Sequence, residues 1–319
     1  MKPTVYITRK IPDEIVNKIA EECTVRMWGE QDIAVPKSVL EQEIEKADGL
    51  FCLLTETIDK KMIEKAKKLK IISNMAVGYN NIDVNAAKAK NILVTNTPDV
   101  LTETTADLTF SLLMATARRV VEASAYLRKG KWKTWSPMQL TGQDIYGATI
   151  GIIGMGRIGE ALARRAKGFN MNIIYFNRNR KQKLEEEIEM QYQDLNSLLR
   201  NSDFICIMTP YSSETRGLIS EKELSLMKKS AILINTARGG IVDEDALYYA
   251  LRKGELWAAG LDVFMNEPIS VDHPLLTLPN VVATPHIGSA SIQTRLKMAD
   301  LAAENLLLAL KGRIPKYVI

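Results

Sequence analysis

Thr149-Ile150-Gly151-Ile152-Ile153-Gly154-Met155-Gly156-Arg157-Ile158-Gly159 runs from an apolar, β-branched pentapeptide into the pattern Gly154-x-Gly156-x-x-Gly159. Unbroken apolar runs of this kind mark parallel strands covered on both faces. Glu160–Ala166 then reads as a helix and Met171–Phe176 as a second strand. Strand, glycine turn, helix and strand within about 30 residues is the setting in which such glycines hold a dinucleotide. Gly154 lets the chain turn sharply, Gly156 leaves room for a pyrophosphate against the backbone, and Gly159 lets the helix approach the strand. The helix start at Arg157 and Ile158 adds backbone N–H groups and the positive end of the helix dipole. The glycine pattern alone would also fit a turn with no ligand; the flanking elements favour a nucleotide.

The end of the second strand discriminates between nucleotides. An NAD site wants an Asp or Glu there to accept from the ribose 2′-hydroxyl. This chain has Asn177-Arg178-Asn179-Arg180-Lys181, with no carboxylate before Glu185. A guanidinium binds a 2′-phosphate bidentately, whereas a carboxylate repels it. NADP(H) is therefore expected, with Arg178 as the main contact and Arg180 assisting. The competing reading is a solvated basic run that opens a charged helix.

The chain has 319 residues, enough for two domains, with 46% hydrophobic and 25% charged residues, as in ordinary globular proteins. A formal net charge of +4 without a dense basic stripe gives no reason to expect nucleic acid. No apolar run approaches the roughly 18 residues of a spanning helix, and the first residues enter a strand without a secretory pattern. Cys23, Cys52 and Cys206 are widely spaced in apolar segments. Reduced core cysteines in a cytoplasmic protein are expected, with no disulfide or metal framework.

Before the glycine segment, strands are expected at Val5–Thr8, Thr24–Trp28, Gly49–Leu54, Ile71–Met75 and Ile92–Thr95. Helices are expected between them, among them Ser38–Ala47 capped by Ser38, Asp59–Lys70, and a short one capped by Asp83. A long helical segment follows from Leu101 to about Lys129, with Val120 in its apolar set. Lys131–Asp144 reads as an irregular arm carrying Trp132, Trp135 and Pro137, whose aromatics point to a second chain and a homodimer. After it come strands at Phe204–Met208, Ala231–Asn235, Trp257–Phe264 and Val281–Thr284. Alternating strands and helices imply parallel sheets covered on both faces. A last helix, about Ala290–Lys311, is expected to return to the first domain. The expected division is 1–98 plus 287–319, and 99–286.

Ligands of doubly wound sheets sit outside the carboxyl ends of strands. Arg238, Glu267 and His286 each lie just past such an end. Only two histidines are present, His273 and His286, and His273 before Pro274 reads as structural. Hydride addition to a carbonyl carbon needs a proton for the oxygen, which His286 can give near neutral pH. Glu267 would orient the imidazole. Arg238 offers a planar fork for a carboxylate next to the carbonyl, so a 2-keto acid satisfies all three. Backbone N–H groups at Val77 and Gly78 would hold the other side of that carboxylate. Taken singly, His286 would fit a structural role, Glu267 a surface turn and Arg238 an ion pair.

The segments ISNMAVGYNNID (Ile72–Asp83), TNTPDVLTETTAD (Thr95–Asp107), GIIGMGRIG (Gly151–Gly159), INTARGG (Ile234–Gly240), GLDVFMNEP (Gly260–Pro268) and TPHIGS (Thr284–Ser289) together resemble the D-isomer-specific 2-hydroxyacid dehydrogenase family over essentially the whole chain. Within it the chain looks most like the glyoxylate/hydroxypyruvate reductases, including the bacterial 2-ketogluconate reductase branch. The resemblance implies an α/β protein of two doubly wound parallel-sheet domains, a Rossmann cofactor domain inserted in a flavodoxin-like substrate domain. It implies Arg238, Glu267 and His286 as the catalytic set, with His286 as proton donor. Substrate contacts fall on Val77, Gly78 and Ser289, with Leu53, Trp135 and Met138 setting pocket size. Trp135 matches an arm position that reaches toward the partner subunit in such reductases. Cofactor contacts fall on Gly154 to Gly159, including Met155, and on Asn177, Arg178 and Arg180. They continue at Thr209, Pro210 and Thr215, then at Thr236, Ala237 and Arg238. Thr105, Asp262, His286 and Gly288 complete them.

Two other functions stay open. NAD-linked phosphoglycerate dehydrogenases resemble this chain, but commonly carry an arginine in the third-strand loop, which here is Leu53-Leu54-Thr55-Glu56-Thr57. A nucleotide-sensing module like the family's co-repressors would not need the complete Arg238, Glu267 and His286 set.

Overall fold

The computed structural model describes residues 2–319 and divides into two compact units, Met1–Leu101 with Ala290–Ile319, and Thr102–Ser289. The divisions fall after Leu101 and Ser289 rather than after 98 and 286. Each crossing immediately precedes a helix that packs in the unit it enters, Thr102–Ala117 and Ile292–Leu310.

The first unit alternates strands β1 (Thr4–Ile7), β2 (Thr24–Met27), β3 (Gly49–Cys52), β4 (Ile71–Asn74) and β5 (Leu93–Thr95) with helices α1 (Asp13–Ala20), α2 (Lys37–Ile44), α3 (Lys60–Lys65) and α4 (Val84–Ala89). All pairings are parallel, in the order β2-β1-β3-β4-β5, the flavodoxin-like arrangement. The inner strands β3 and β4 are buried along their whole length, β4 with the polar Ser73 and Asn74 at its end. Asp59 and Asp83 cap α3 and α4, accepting from the Met62 and Ala86 amides. Ser38 caps nothing: α2 begins a residue earlier, with Pro36 at its N-cap. The helix expected over Asp59–Lys70 stops at Lys65, because Ala66 turns extended to feed β4.

The second unit opens with α5 (Thr102–Ala117) and α6 (Val120–Arg128). The expected single helix breaks at Arg119, which is left-handed at φ 53°. The cause lies further along the chain: the Ala117 carbonyl accepts from Gln143 N at 2.9 Å, and Gly142 packs against that same carbonyl. The arm thereby takes the acceptor that would have continued the helix. Val120 is exposed rather than part of the core, and α6 buries no residue.

Strands β6 (Thr149–Ile153), β7 (Asn172–Phe176), β8 (Gln191–Tyr192), β9 (Phe204–Ile207), β10 (Ile232–Asn235), β11 (Ala258–Leu261) and β12 (Val281–Ala283) follow. Helices α7 (Arg157–Gly168), α8 (Gln182–Ile188), α9 (Leu195–Asn201), α10 (Glu221–Ser225) and α11 (Glu244–Arg252) lie between them. The order β12-β11-β10-β9-β6-β7-β8 is parallel throughout, and its direction reverses between β6 and β9. This is the Rossmann order with one added strand, and the reversal is where such sheets bind ligands. The last helix, α12 (Ile292–Leu310), packs on β3, β4 and α1 of the first unit, as expected, and the Ser73 hydroxyl donates to the Ala302 carbonyl at 2.7 Å. Among the described residues no helix is long and apolar enough to cross a membrane.

Candidate active site

The glycine turn sits at the switch point of the second unit. Gly154 has φ +102°, and a Cβ there would lie 2.8 Å from the Met208 carbonyl at the end of β9. A Cβ on Gly159 would come within 2.3 Å of the Gly154 oxygen, so only glycine lets α7 start this close to β6. Around Gly156, by contrast, nothing lies within 4 Å of a built Cβ. Gly156 is the N-cap of α7 and brings no side chain to the first turn, where the helix dipole favours an anion. Beside this turn the Thr209 hydroxyl is buried and, among the described residues, meets no hydrogen-bond partner. A buried hydroxyl without a partner is costly. It fits a ligand with acceptor oxygens, so the residues present suit a dinucleotide.

Several expected cofactor residues prove to be engaged with their own loops. Asn177 Oδ1 accepts from the Met155 amide at 3.2 Å, tying the end of β7 to the glycine turn. The Thr215 hydroxyl donates to the Pro210 carbonyl at 2.7 Å and closes the loop after β9. The Thr236 and Thr109 hydroxyls bond at 2.6 Å. Thr105 packs beside Gly288, and Ala237 N bonds the Asn235 side chain at 3.1 Å.

The two arginines after β7 differ. Arg178 is exposed and pairs with Glu214 at 3.3 Å. Arg180 is clamped by Glu185, with Nε and Nη2 at 2.8 and 2.7 Å. Glu185 also accepts from the Tyr175 hydroxyl at 2.6 Å, and burial followed by that bond pushes the phenol up to about 12. The first carboxylate after the strand is therefore paired with Arg180, whose side chain is still 56% exposed.

At the carboxyl ends of β10, β11 and β12 the structure gathers Arg238, Glu267 and His286. His286 Nδ1 and Glu267 Oε2 are 2.6 Å apart. That bond leaves Nε2 as the ring nitrogen available to a substrate. Glu267 Oε1 accepts from Phe264 N at 3.0 Å. Burial pushes the Glu267 carboxyl up, but its bond and charge interaction with His286, the Phe264 amide and the Arg238 charge outweigh it and hold it below the usual range. Arg238 is half-buried; burial pushes its guanidinium down, opposed by Glu267. Its turn is braced by Asn235, whose Nδ2 donates to the Arg238 carbonyl at 2.9 Å.

His286 is itself left-handed, with φ 53°. Asp262, fully buried at the end of β11, holds the segment on both sides of it. Its Oδ1 accepts from the Thr284 hydroxyl at 2.6 Å and from Ile287 N at 2.8 Å, and its Oδ2 from Gly288 N at 2.8 Å. Burial raises the Asp262 carboxyl, opposed by these donors and by His286.

The first unit carries the other expected substrate residues. The Val77 and Gly78 carbonyls are pinned by Asn96 Nδ2 at 2.8 Å and Asn74 Nδ2 at 2.9 Å, which fixes the orientation of both peptide groups. Leu53 N donates to the buried Glu56 at 2.7 Å, and Asn81 Nδ2 donates to the Leu53 and Glu56 carbonyls at 3.0 and 2.9 Å. The loop has no arginine of its own, yet Arg9 from the end of β1 reaches Thr55 Oγ1 at 3.1 Å and Glu56 at 3.4 Å. None of Asn74, Asn96, Asn235, Glu56 or Arg9 was singled out from the sequence; a polar residue at the last position of an apolar strand is the signal for Asn74 and Asn235.

Residues 110–288 match the family model described as D-isomer specific 2-hydroxyacid dehydrogenase, NAD binding domain. A glyoxylate reductase of Korarchaeum cryptofilum (strain OPF8) is 51% identical over 321 residues, covering 100% of this chain and 96% of that protein. The chain belongs to the D-isomer specific 2-hydroxyacid dehydrogenase family. Two solved structures extend the likeness. A protein of Thermus thermophilus superposes with a TM-score of 0.93 at 44% identity, covering 99% of each chain. The NADPH-dependent glyoxylate/hydroxypyruvate reductase of Sinorhizobium meliloti, solved with NADP and malonate, superposes with a TM-score of 0.88 at 32% identity, over 100% of this chain and 97% of that one. In this 2-hydroxyacid dehydrogenase, the Rossmann order of the second unit and the glycine turn at its switch point agree with the matched cofactor domain.

Proposed function

We propose that this 2-hydroxyacid dehydrogenase uses NADPH to reduce a small 2-keto acid (glyoxylate, hydroxypyruvate or a larger 2-ketoaldonate such as 2-ketogluconate) to the D-2-hydroxy acid. The observation that carries the reading is the His286–Glu267 pair at 2.6 Å, with the Arg238 charge acting on the same carboxylate. Reduced nicotinamide, when bound, supplies a hydride to the carbonyl carbon. The oxygen then gains charge, and His286 Nε2 gives it a proton. Glu267 at Nδ1 fixes the ring so that Nε2 faces the reaction. Arg238 binds the substrate carboxylate through its fork and so aligns the neighbouring carbonyl. Val77, Gly78, Leu53 and Ser289 are proposed as further substrate contacts.

For the nucleotide, the reading rests on Arg178 at the end of β7, on the engagement of Glu185 with Arg180, and on the NADPH dependence in the name of the Sinorhizobium meliloti relative. Met155, Arg157, Ile158, Thr209, Thr236 and Gly288 are among the further proposed contacts. A phosphoglycerate-type substrate is less favoured, because the third-strand loop has no arginine of its own and Arg9, which reaches it, is paired with buried Glu56. The co-repressor-like reading leaves the His286–Glu267–Arg238 arrangement without a purpose. Steady-state kinetics with glyoxylate, hydroxypyruvate and 2-ketogluconate, each against NADPH and NADH, test the proposal. Absence of turnover with every pair would overturn it in favour of a sensing module.

We also propose a homodimer through α6 and the arm. Val120, Val121, Leu127, Trp132, Trp135 and Met138 are all exposed there, with Trp135 at 75% and Met138 at 76%. A monomer rarely leaves so many large apolar side chains in water. A cytoplasmic setting fits the three free, buried cysteines. Sedimentation at micromolar concentration is expected to give a dimer; a stable monomer would remove that part of the reading.

A further inference from the structure

The loop after β11 that carries Glu267 is held by a second carboxylate, outside the three-residue set. Glu244, the first residue of α11, takes the Met265 amide on Oε1 at 2.5 Å. Its Oε2 lies 3.3 Å from His273 Nε2. His273 Nδ1 in turn accepts from Leu275 N at 3.3 Å, at the start of a 3-10 turn over Pro274–Thr277. That acceptor role places the ring proton on Nε2, the nitrogen that lies nearer Glu244. Two successive amides are thus taken by two carboxylates: Phe264 N by Glu267 and Met265 N by Glu244. On its other side the loop is in hard contact with the Arg238 turn, since a Cβ on Gly239 would fall 1.9 Å from the Phe264 carbonyl. Both Glu244 and His273 are largely shielded from solvent, at 17% and 27% side-chain exposure, so their contacts are less screened than a surface pair.

We propose that Glu244, braced by His273, is a positioning residue that fixes the Glu267 loop and through it the His286 ring. This rests on the reading of His286 and Glu267 given above. A general acid displaced by about 1 Å can lose up to roughly 10²-fold in rate. The substrate carboxylate is assigned to Arg238, which stands on a different loop from the Glu244-braced one. The expected signature is therefore a loss in kcat with little change in keto acid KM.

The test is a double-mutant cycle, with glyoxylate and NADPH as probes and thermal unfolding of each variant alongside. Glu244→Ala is expected to lower kcat roughly 10–30-fold while KM for glyoxylate stays within about twofold. Glu244→Gln keeps an acceptor oxygen for Met265 N and is expected to retain kcat within about threefold of the parent. In a Glu267→Gln background, Glu244→Ala is expected to cost less than about twofold, because residues acting as one unit are not additive. Equal kcat losses in the two backgrounds, or a Glu244→Ala kcat within twofold of the parent, would overturn the proposal. If Glu244→Ala does not fold, the same cycle with His273→Asn decides on the same criterion. A Glu267→Gln variant with unchanged kcat would instead remove the catalytic reading on which the proposal rests.

Discussion

Replacing Arg178 with aspartate is expected to move the NADPH-to-NADH preference roughly 300-fold toward NADH. Arg178 is 82% exposed, and its partner Glu214, 3.3 Å away, is 72% exposed. The contact between Arg178 and a 2′-phosphate would accordingly be screened by water. Of the roughly 1.5–3 kcal/mol typical of hydrogen bonds to charged groups, the lower end applies, which is about tenfold in affinity. An aspartate in its place faces the phosphate instead. At about 4 Å in water each pair of unit charges repels by about 1 kcal/mol, and a doubly charged phosphate roughly doubles that to about 30-fold. The product is about 300-fold, before any gain from a new acceptor for the ribose hydroxyl of NADH. Losing the Arg178–Glu214 pair adds little, since exposed ion pairs contribute about 0–1 kcal/mol. The assay is kcat/KM for each nucleotide at saturating glyoxylate, with Arg178→Ala separating lost attraction from added repulsion. Arg180→Ala is expected to change the ratio by less than about threefold, because Glu185 already holds that guanidinium. A ratio within threefold of the parent for Arg178→Asp would refute the assignment of the 2′-phosphate to this side chain.

Three further outcomes follow from the site. His286→Ala is expected to reduce turnover by roughly 10²–10⁴-fold, the scale of general acid catalysis; near-normal kcat would exclude it as the proton donor. Arg238→Lys keeps a charge but loses the planar fork, so kcat/KM for glyoxylate should fall about 10–100-fold, the worth of one charge-assisted hydrogen bond; an unchanged value would mean that the carboxylate is held elsewhere. The Glu267 carboxyl is held below its ordinary value of 4.5 in the folded protein, so its contribution to stability is present above that pH and fades as pH falls through the lowered value. The melting-temperature advantage of the parent over Glu267→Gln should therefore shrink as pH drops below about 4.5; an advantage that grows on acidification would contradict the sign of the shift.

The parts of the fold legible in the sequence were those fixed by local pattern. Thr149–Ile153 reads as a buried parallel strand because every position is apolar or β-branched except Gly151, and the strand falls there. Asp59 and Asp83 read as caps because a short carboxylate before a helix has a backbone amide to accept from, and each does. The break between α5 and α6 was not legible. Nothing in the local sequence is a strong helix breaker; Arg119 is driven left-handed by an arm that returns to Ala117 from Gly142 and Gln143. The same division holds at the site. Arg238, Glu267 and His286 could be found because each stands just past an apolar strand. Asp262 and Glu244 act by side-chain bonds to loops more than twenty residues away, and no spacing rule announces such a partner. Arg180 shows a related case: a basic residue in the right window for a phosphate that also pairs with a helix carboxylate five positions on.

The backbone of His286 explains why the rim needs so much bracing. A non-glycine residue held left-handed costs about 1–3 kcal/mol and persists only where its surroundings over-determine it. Asp262 supplies that excess, with its acceptors on Thr284 before the histidine and on Ile287 and Gly288 after it. The conformation is not dictated by Pro285-His286 locally, since an extended histidine would meet no clash of its own. It turns the imidazole so that Nδ1 meets Glu267, and so leaves Nε2 for chemistry. Asp262 carries its own cost, since burial works against its charge. A buried, unfavourably desolvated carboxylate that stabilises an unfavourable backbone angle has no advantage for folding alone. On the proposed reading of His286, its advantage lies in a histidine whose Nε2 edge is fixed before any substrate arrives, the preorganisation that proton donation to a developing oxyanion would require.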